Sequence, residues 1–518
     1  MQFYPALAEL SAFRTEHCVA PEHHSASEHH SASEHHSAPE FRAVPEYRAA
    51  PVATEILSDS LTPVTALKIL KNVSDHVYML ESAGQDQTWG RYTFLGYDPK
   101  LEITAVDGQV RINDQPAAYD SPSDAIREVL ARYRSPKIPG MPPFAGGLVG
   151  YFSYDYVKYA EPTLRLDAPN EEGFNDVDLM LFDTVIAFDN FRQKIILIKV
   201  VGLDNLEEEY PRATEELREL AQLLLHGEPV ADTTGRLTGP ITPVLNEAEF
   251  VAMVERAKHY IHEGDIFQIV LSNCLRAEFT GSLIDTYRVL RTINPSPYMF
   301  YFSGHNIEVA GASPETLVKL EDGTLFTFPL AGTRPRGATP AEDARLEEEL
   351  LADPKELAEH NMLVDLGRND IGRLAQFGTV NVDRFHDVVR FSHVMHIGST
   401  VSGKIRPECD ALDAVASILP AGTLSGAPKI RACQLINDLE GNKRGIYGGA
   451  IGYLDFSGNL DTCIGIRIAY KIGNTVYARS GAGIVQDSVA ATEYQETLNK
   501  AAAVLEALHD AAQLEECS

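Results

Sequence analysis

VYARSGAGIVQDSVAATEYQETLNKA, residues 476–501, changes its periodicity halfway along. Up to Ser488 it reads as a long strand; beyond it a helix runs to the end. Tyr494, Leu498, Ala501, Leu505 and Leu508 recur at alternating steps of four and three, which predicts one buried stripe. The polar edge of that helix carries Glu493, Glu496 and Lys500, which at ~100° per residue share one narrow sector. Upstream, DPKELAEHNMLVDL (353–366) supplies a matching helix, with Asp353 as its N-cap, Pro354 at its first position and Glu356 and Glu359 one turn apart. Glu356 could simply close a capping box, and each of the other glutamates could be solvated charge. Together the four could hold a hard, hydrated dication such as Mg²⁺.

Outward from this pair the chain divides by composition. Residues 247–512 form one unit. Ahead of it, GEPVADTTGRLTGPITPVLN (227–246) is rich in Gly, Pro and Thr and predicts a linker. Residues 54–226 alternate short apolar runs with turns, among them VYMLES, GRYTFLGY, KLEITAV, LMLFDTVIAFDN and QKIILIKVVG, before a helical stretch that stops at Gly227. That is a mixed α+β domain. Residues 1–53 contain EHHSASEHHSASEHHSAPE and a Pro/Ala continuation, with no apolar periodicity to offset ordering entropy, and are expected to be a disordered tail. Its paired histidines (His23 and His24, His29 and His30, His35 and His36) lack the fixed geometry of a metal site. The tail has neither the apolar core of a signal peptide nor the acid-poor character of a transit peptide.

Forty-four basic against 74 acidic residues give a net charge of −30, which argues against nucleic acid and anionic membranes as partners. Any anionic ligand must be held by a local site. No apolar run approaches the roughly 18 residues of a membrane span, so a soluble protein is expected. Six cysteines (Cys18, Cys274, Cys409, Cys433, Cys463 and Cys517) form no CxxC pair; free thiols in a reducing cytoplasm are the expectation.

Five runs in the last unit occur in a telling order: FPLAGTRPRG, AEHNMLVDLGRNDIGR, PAGTLSGAPKIRA, YGGAIGYLDFSGNLDTCIGIRIA and RSGAGIVQDSVAATEYQETLNKA. Together they closely resemble the chorismate-utilising enzymes, most of all the large subunit (component I) of anthranilate synthase, and the match continues sparsely through MLESA (79–83) and GRYTFLG (90–96). The resemblance implies an α+β fold, with antiparallel sheets in a β-sandwich flanked by helices and a smaller N-terminal α+β regulatory part. It also implies Mg²⁺ on one carboxylate of dianionic chorismate through Glu359 and Glu496, with Glu356 and Glu493 in support. Arg467 and Tyr447 would hold substrate carboxylate, as would the backbone of Gly481, Ala482 and Gly483, with Gly332, Thr333 and Lys500 completing the binding set. Glu315 resembles the glutamate that protonates the departing hydroxyl, His396 the histidine tied to pyruvate loss, and Thr423 a hydroxyl beside the ring. Read without the family, Arg467 could be a buried ion pair, Gly481–Gly483 and Thr423 turn residues, and His396 packing.

Sister enzymes differ at two positions. Aminodeoxychorismate synthases carry a nucleophilic lysine where this chain has Ala331, and isochorismate and salicylate synthases a water-activating lysine where it has Gln268. Lacking both, the chain is expected to use ammonia, giving anthranilate and pyruvate in the first committed step of tryptophan biosynthesis. No nucleophile-elbow cysteine is present, so a separate glutaminase (component II) subunit and a hetero-oligomer are implied. The alternatives are an aminodeoxychorismate synthase component I and a catalytically silent metabolite-binding relative. Feedback inhibition by tryptophan is expected at a site made by Glu81, Ser82 and Arg91 with Pro297, Tyr298 and Met299 from NPSPYMF, although each segment alone could be an ordinary turn or loop.

Overall fold

A computed structural model describes residues 1–17, 47–82, 90–230, 234–390 and 394–514. The fold is α+β, as expected, with two large antiparallel sheets stacked face to face and helices outside both. The larger sheet runs Phe3–Tyr4, Ala49–Leu57, Lys194–Gly202, Thr184–Asp189, Tyr92–Tyr97, Val77–Glu81, Tyr298–Ser303, Glu308–Ser313, Ile468–Ile472, Thr475–Ile484, Gln268–Thr280 and Arg236–Leu237. The second passes from Leu330–Pro335 and Val394–Lys404 through Thr324–Thr327, Thr316–Glu321, Leu460–Ile464 and Ala450–Asp455 to Gly147–Phe152, Val177–Phe182 and Leu101–Val106.

The run QKIILIKVVG shows how the sandwich is filled. Strand side chains alternate faces: Ile195 and Leu197 meet the helices Pro63–Lys71 and Leu206–His226, while Ile196 and Ile198 enter the core between the sheets. Both faces are covered, hence a continuous apolar run. The inter-sheet core joins Val149, Tyr151 and Phe182 of one sheet to Val185, Phe300 and Val309 of the other. On the outer face of the second sheet, the helices Pro122–Arg132, Pro354–Gly372 and Ala411–Ile418 bury Ile126, Val364 and Val415.

Three expectations about organisation are corrected. Residues 54–226 and 247–512 are not separate cores, because Val77–Glu81 pairs with Tyr298–Ser303 and Gly147–Phe152 pairs with Ala450–Asp455, so both halves contribute to each sheet. The stretch 227–246 is more than a linker: Arg236–Leu237 and Thr242–Pro243 pair with the long strand Gln268–Thr280, whose outer backbone groups need partners. Nor are residues 1–53 wholly a tail. Phe3 and Tyr4 pair with Thr54 and Ala53, the helix Leu7–His17 buries Leu10, and Ala49–Ala53 form the buried start of a strand. The helix has no apolar stripe to announce it, being held by Leu10 with flanking Leu7 and Phe13 and by an Arg14–Glu207 ion pair. Small residues in AAPVA read as Pro/Ala filler in composition but fit the narrow space between two packed layers. The paired histidines lie outside the described residues.

A chain beginning at Thr54 loses half of that buried strand and should give no cooperative calorimetric transition, while Leu10→Ala in the full chain should cost about 2–4 kcal/mol by urea titration. A truncated chain that melts like the full one would contradict this packing.

Candidate active site and effector cavity

Glu315 sits at the turn between Glu308–Ser313 and Thr316–Glu321, and Thr423, from the single-turn helix Gly422–Leu424, donates its hydroxyl to Glu315 Oε1 at 3.0 Å. Burial lifts the Glu315 carboxyl from 4.5 to about 7, against the pull of the Thr423 hydrogen bond and the positive charges of Arg467 and Lys500. A carboxylic acid that keeps its proton near neutrality can deliver it to a leaving group.

Arg467 lies in the left-handed region at φ 52°, just before Ile468–Ile472, and directs its guanidinium at Asn294 Oδ1, 3.5 Å away. A bulky residue there is strained, and such strain is characteristic of sites where a side chain must be aimed. Burial lowers its pKa, with Glu315 opposing. His396 donates from Nδ1 to the Gly332 carbonyl at 2.9 Å, because a carbonyl can only accept; Thr333 Oγ1 lies 3.1 Å from the same nitrogen. With Nδ1 carrying the hydrogen, Nε2 is left as the basic atom, and burial lowers the pKa of the ring, so it is neutral at physiological pH. Gly332 adopts φ +68°, the left-handed conformation that suits glycine and turns its carbonyl to the histidine.

Tyr447, its phenol held protonated by burial, closes the other side. A Cβ on Gly481 would come within 2.9 Å of the Tyr447 hydroxyl, and one on Gly483 within 3.4 Å of Gln268 Nε2, so both glycines leave room for the side chains opposite. Ala482 points into the core and offers only backbone. Lys500 reaches back one strand to the Gly481 carbonyl at 3.1 Å and pairs with Glu496 at 2.7 Å. Glu315 thus gathers Thr423, Arg467 and Lys500 around it, Gly332 and Thr333 flank His396, and Tyr447 faces Gly481.

The four expected metal ligands are not gathered. Asp353 caps the helix Pro354–Gly372 as expected, but Glu356 faces Arg334 at 3.6 Å, Glu359 is exposed and Glu496 is paired with Lys500. Among the described residues no three acidic, histidine or cysteine side chains form a metal shell. Neighbouring carboxylates repel unless a cation separates them, and here arginine and lysine supply those cations.

The two segments expected to bind an effector meet as neighbouring strands, Met299 in register with Glu81. With Ser82, Pro297 and Tyr298 they line a cavity of about 240 Å³ that also exposes Tyr453 and Asp461. The Glu81 carboxylate accepts from Arg291 and from the Tyr287 hydroxyl. Tyr298 places its hydroxyl 2.9 Å from both Asp461 and Thr316, the residue after Glu315. Burial lifts Asp461 to about 6. Sequence reasoning missed Asp461, yet a carboxylate inside LDTCI, a strand whose other residues are buried and mostly apolar, was a visible signal. Arg91 is a correction: it forks onto buried Asp189 at 2.7 Å and lines a different cavity, because its strand neighbour Thr184–Asp189 offers a carboxylate on the far side from Glu81.

This arrangement has known counterparts. The family model for chorismate binding enzymes matches residues 75–506, and the chain belongs to that family: it is an enzyme acting on chorismate. Among curated relatives, "Anthranilate synthase component 1" from Acetivibrio thermocellus is 41% identical, aligned over 90% of this chain and 96% of the relative, and its namesake from Aquifex aeolicus is 42% identical over 90% and 96%. Anthranilate synthase component I from Streptococcus pneumoniae superposes with a TM-score of 0.73 at 37% identity, covering 87% of this chain and 98% of that one. The menaquinone-specific isochorismate synthase of Escherichia coli, 20% identical with a TM-score of 0.65 over 90% and 96%, shares the fold.

The pH dependence of stability tests the Glu315 environment. Below pH 4.5 both states hold the proton; between 4.5 and about 7 the unfolded chain releases it first, so stability falls with rising pH across that window. Glu315→Gln should remove this loss, on the order of 3 kcal/mol between pH 4.5 and pH 8, as read by urea titration. Identical pH profiles for variant and wild type would place Glu315 in solvent.

Proposed function

We propose that the chain aminates chorismate with ammonia and eliminates pyruvate, giving anthranilate. The observation that carries this reading is the pair of residues at the positions where sister chemistries need a lysine. Gln268 lies against Gly483, and Ala331 is buried in the strand that pairs with the one carrying His396. An amide is not a base for water and a methyl group is not a nucleophile, so the attacking group comes from solution or a partner. The relatives named anthranilate synthase component 1 support the same reading.

In this reading Arg467, Tyr447 and the backbone of Gly481–Gly483 bind substrate carboxylates, and Gly332, Thr333 and Lys500 complete the lining. Glu315, steadied by Thr423, gives its proton to the C4 hydroxyl, which leaves as water as ammonia adds at C2. His396 Nε2 serves the later step, in which the C2 proton and the enolpyruvyl group depart and pyruvate is released. A Mg²⁺ requirement belongs to the proposal, supported by the carboxylate type of Glu356, Glu359, Glu493 and Glu496; since these side chains are not gathered, no bond or step is assigned to the ion. A separate glutaminase is supported by the state of the cysteines: Cys274, Cys433 and Cys463 are buried, and burial raises all three thiols away from reactivity. Among the described residues no helix is long and apolar enough to cross a membrane, in keeping with a cytoplasmic enzyme.

Tryptophan is proposed as inhibitor in the cavity at Glu81. Pro297, Tyr298 and Met299 offer an indole a flat, polarisable wall, and Asp461 offers its ammonium a partner. Tyr298 touches Thr316, next to the proposed acid, so a ligand in this cavity borders the reaction without entering it.

Purified alone, the chain should form anthranilate, followed by its fluorescence, from chorismate and Mg²⁺ with ammonium above pH 8, and essentially none with glutamine. Full turnover in excess chelator would sink the metal requirement, and efficient use of glutamine the need for a partner. Millimolar tryptophan should raise the apparent KM for chorismate, whereas Ser82→Phe, which fills the cavity, should keep uninhibited kcat within about twofold while losing sensitivity. A Ser82→Phe enzyme as sensitive as wild type would move the effector elsewhere.

A further inference from the structure

Behind the reacting face lies a buried charge network that the chemistry above does not use. The side chain of Glu440, the last residue of the helix Lys429–Glu440, is 3% exposed, and that of Arg444, brought back by the left-handed Gly441, is 1% exposed. Their contacts are to parts of the site that are distant in sequence. Glu440 accepts from the Ser272 N–H at 2.7 Å and its hydroxyl at 3.0 Å, fixing the strand that carries Gln268. It accepts from Arg479 at 3.3 Å, two residues before Gly481 on the neighbouring strand, while Arg479 also faces Glu172 at 3.7 Å. Arg444 donates from Nε to Glu440 at 3.0 Å, from Nη1 to the Leu424 carbonyl at 2.6 Å and from Nη2 to the Val270 carbonyl at 2.7 Å. Its guanidinium lies 4.6 Å from the ring centre of Tyr154 and 5.9 Å from that of Tyr447.

Such a network is a poor device for stability alone, since well-packed apolar residues commonly do as well as a buried ion pair. A carboxylate at a helix C-terminus is moreover on the wrong end of the dipole. What this one does is join three segments. Leu424 follows Thr423 in the same helical turn, so the carbonyl that the guanidinium holds is one residue from the hydroxyl facing Glu315.

We propose that Glu440 and Arg444 are positioning residues: their ion pair locks the Gly422–Leu424 turn against the strands carrying Gln268 and Gly481, and thereby sets the Thr423 hydrogen bond to Glu315. The inference rests on the amination reading for its turnover test and on geometry alone for its second test. Lysine at 444 keeps the charge but cannot hold Glu440, Leu424 and Val270 together.

Arg444→Lys, checked for folding by its thermal transition, should lower kcat for ammonium-dependent anthranilate formation by about tenfold or more. Combined with Thr423→Ala it should add little to the loss from Thr423→Ala alone, because both remove the same hydrogen bond. Losses that multiply in the double variant, or a wild-type kcat in Arg444→Lys, would overturn the proposal. The second test needs no turnover: the Glu315 carboxyl, followed by carbon-13 NMR, should titrate higher in Arg444→Lys just as in Thr423→Ala, because a donor that favours its ionised form is lost while Arg467 and Lys500 remain. An unmoved titration in Arg444→Lys overturns the positioning role even if the wild type makes no anthranilate, an outcome that by itself refutes only the amination reading. If Arg444→Lys fails to fold, Glu440→Gln enters the same cycle; failure of both to fold would make the network a tie of the core and overturn the proposal.

Discussion

The seam between Gly147–Phe152 and Ala450–Asp455 governs the rest of the molecule. There Gly150 stands in register with Gly452, and neither position tolerates a side chain: a Cβ on Gly150 would meet the Asp178 carbonyl at 2.1 Å, and one on Gly452 the Asp461 carbonyl at 2.0 Å. These close approaches are to the strands on either side of the seam, Val177–Phe182 and Leu460–Ile464, so the two glycines let four strands from both halves of the chain lie in one sheet. The other sheet has its own seam, where Val77–Glu81 lies along Tyr298–Ser303. Once both seams are set, the inter-sheet core follows from the alternation of apolar side chains, and the Tyr298 wall of the cavity at Glu81 reaches Thr316, next to Glu315.

The electrostatics follow from that placement. A chain of net charge −30 concentrates positive groups at one place: Arg467 and Lys500 face Glu315, with Arg444 and Arg479 in a second layer against Glu440 and Glu172. Cations held locally beside low-dielectric walls act on an anionic ligand far more strongly than an average over the surface would suggest. Burial also holds the Glu315 proton near neutrality and keeps His396 uncharged, so an acid and a base coexist around Arg467.

Much of this was legible in the sequence because it depends on local rules. Asp353 and Pro354 announce a helix start through capping chemistry, and QKIILIKVVG announces a strand covered on both faces. The ordered motifs named Thr423, Arg467 and Lys500, and the resemblance they carry named Glu315; the fold brings the four together. What was not legible depends on long-range pairing. No local signal in AAPVA says that it will be buried between layers, and none in 227–246 says that a distant strand lacks partners. Arg91 was assigned by nearness in sequence to Glu81, whereas its sheet neighbour Asp189 decides where it goes. The carboxylate quartet was assigned by helical phase, which fixes the face of a helix but not the cations it meets, Arg334 and Lys500.

The interleaving of early and late strands also bears on how the chain is born. On the ribosome Val77–Glu81 must wait for Tyr298–Ser303, and Gly147–Phe152 for Ala450–Asp455, so most of the polypeptide emerges before either sheet can close. During that interval each half-sheet presents a strand edge with unmet hydrogen bonds, the kind of surface that captures other nascent chains. Pairings so remote in sequence also close slowly. The excess of acidic residues then gains a second use, since mutual repulsion between unfinished copies keeps those edges apart until the last helix, Ala490–Asp510, has been made.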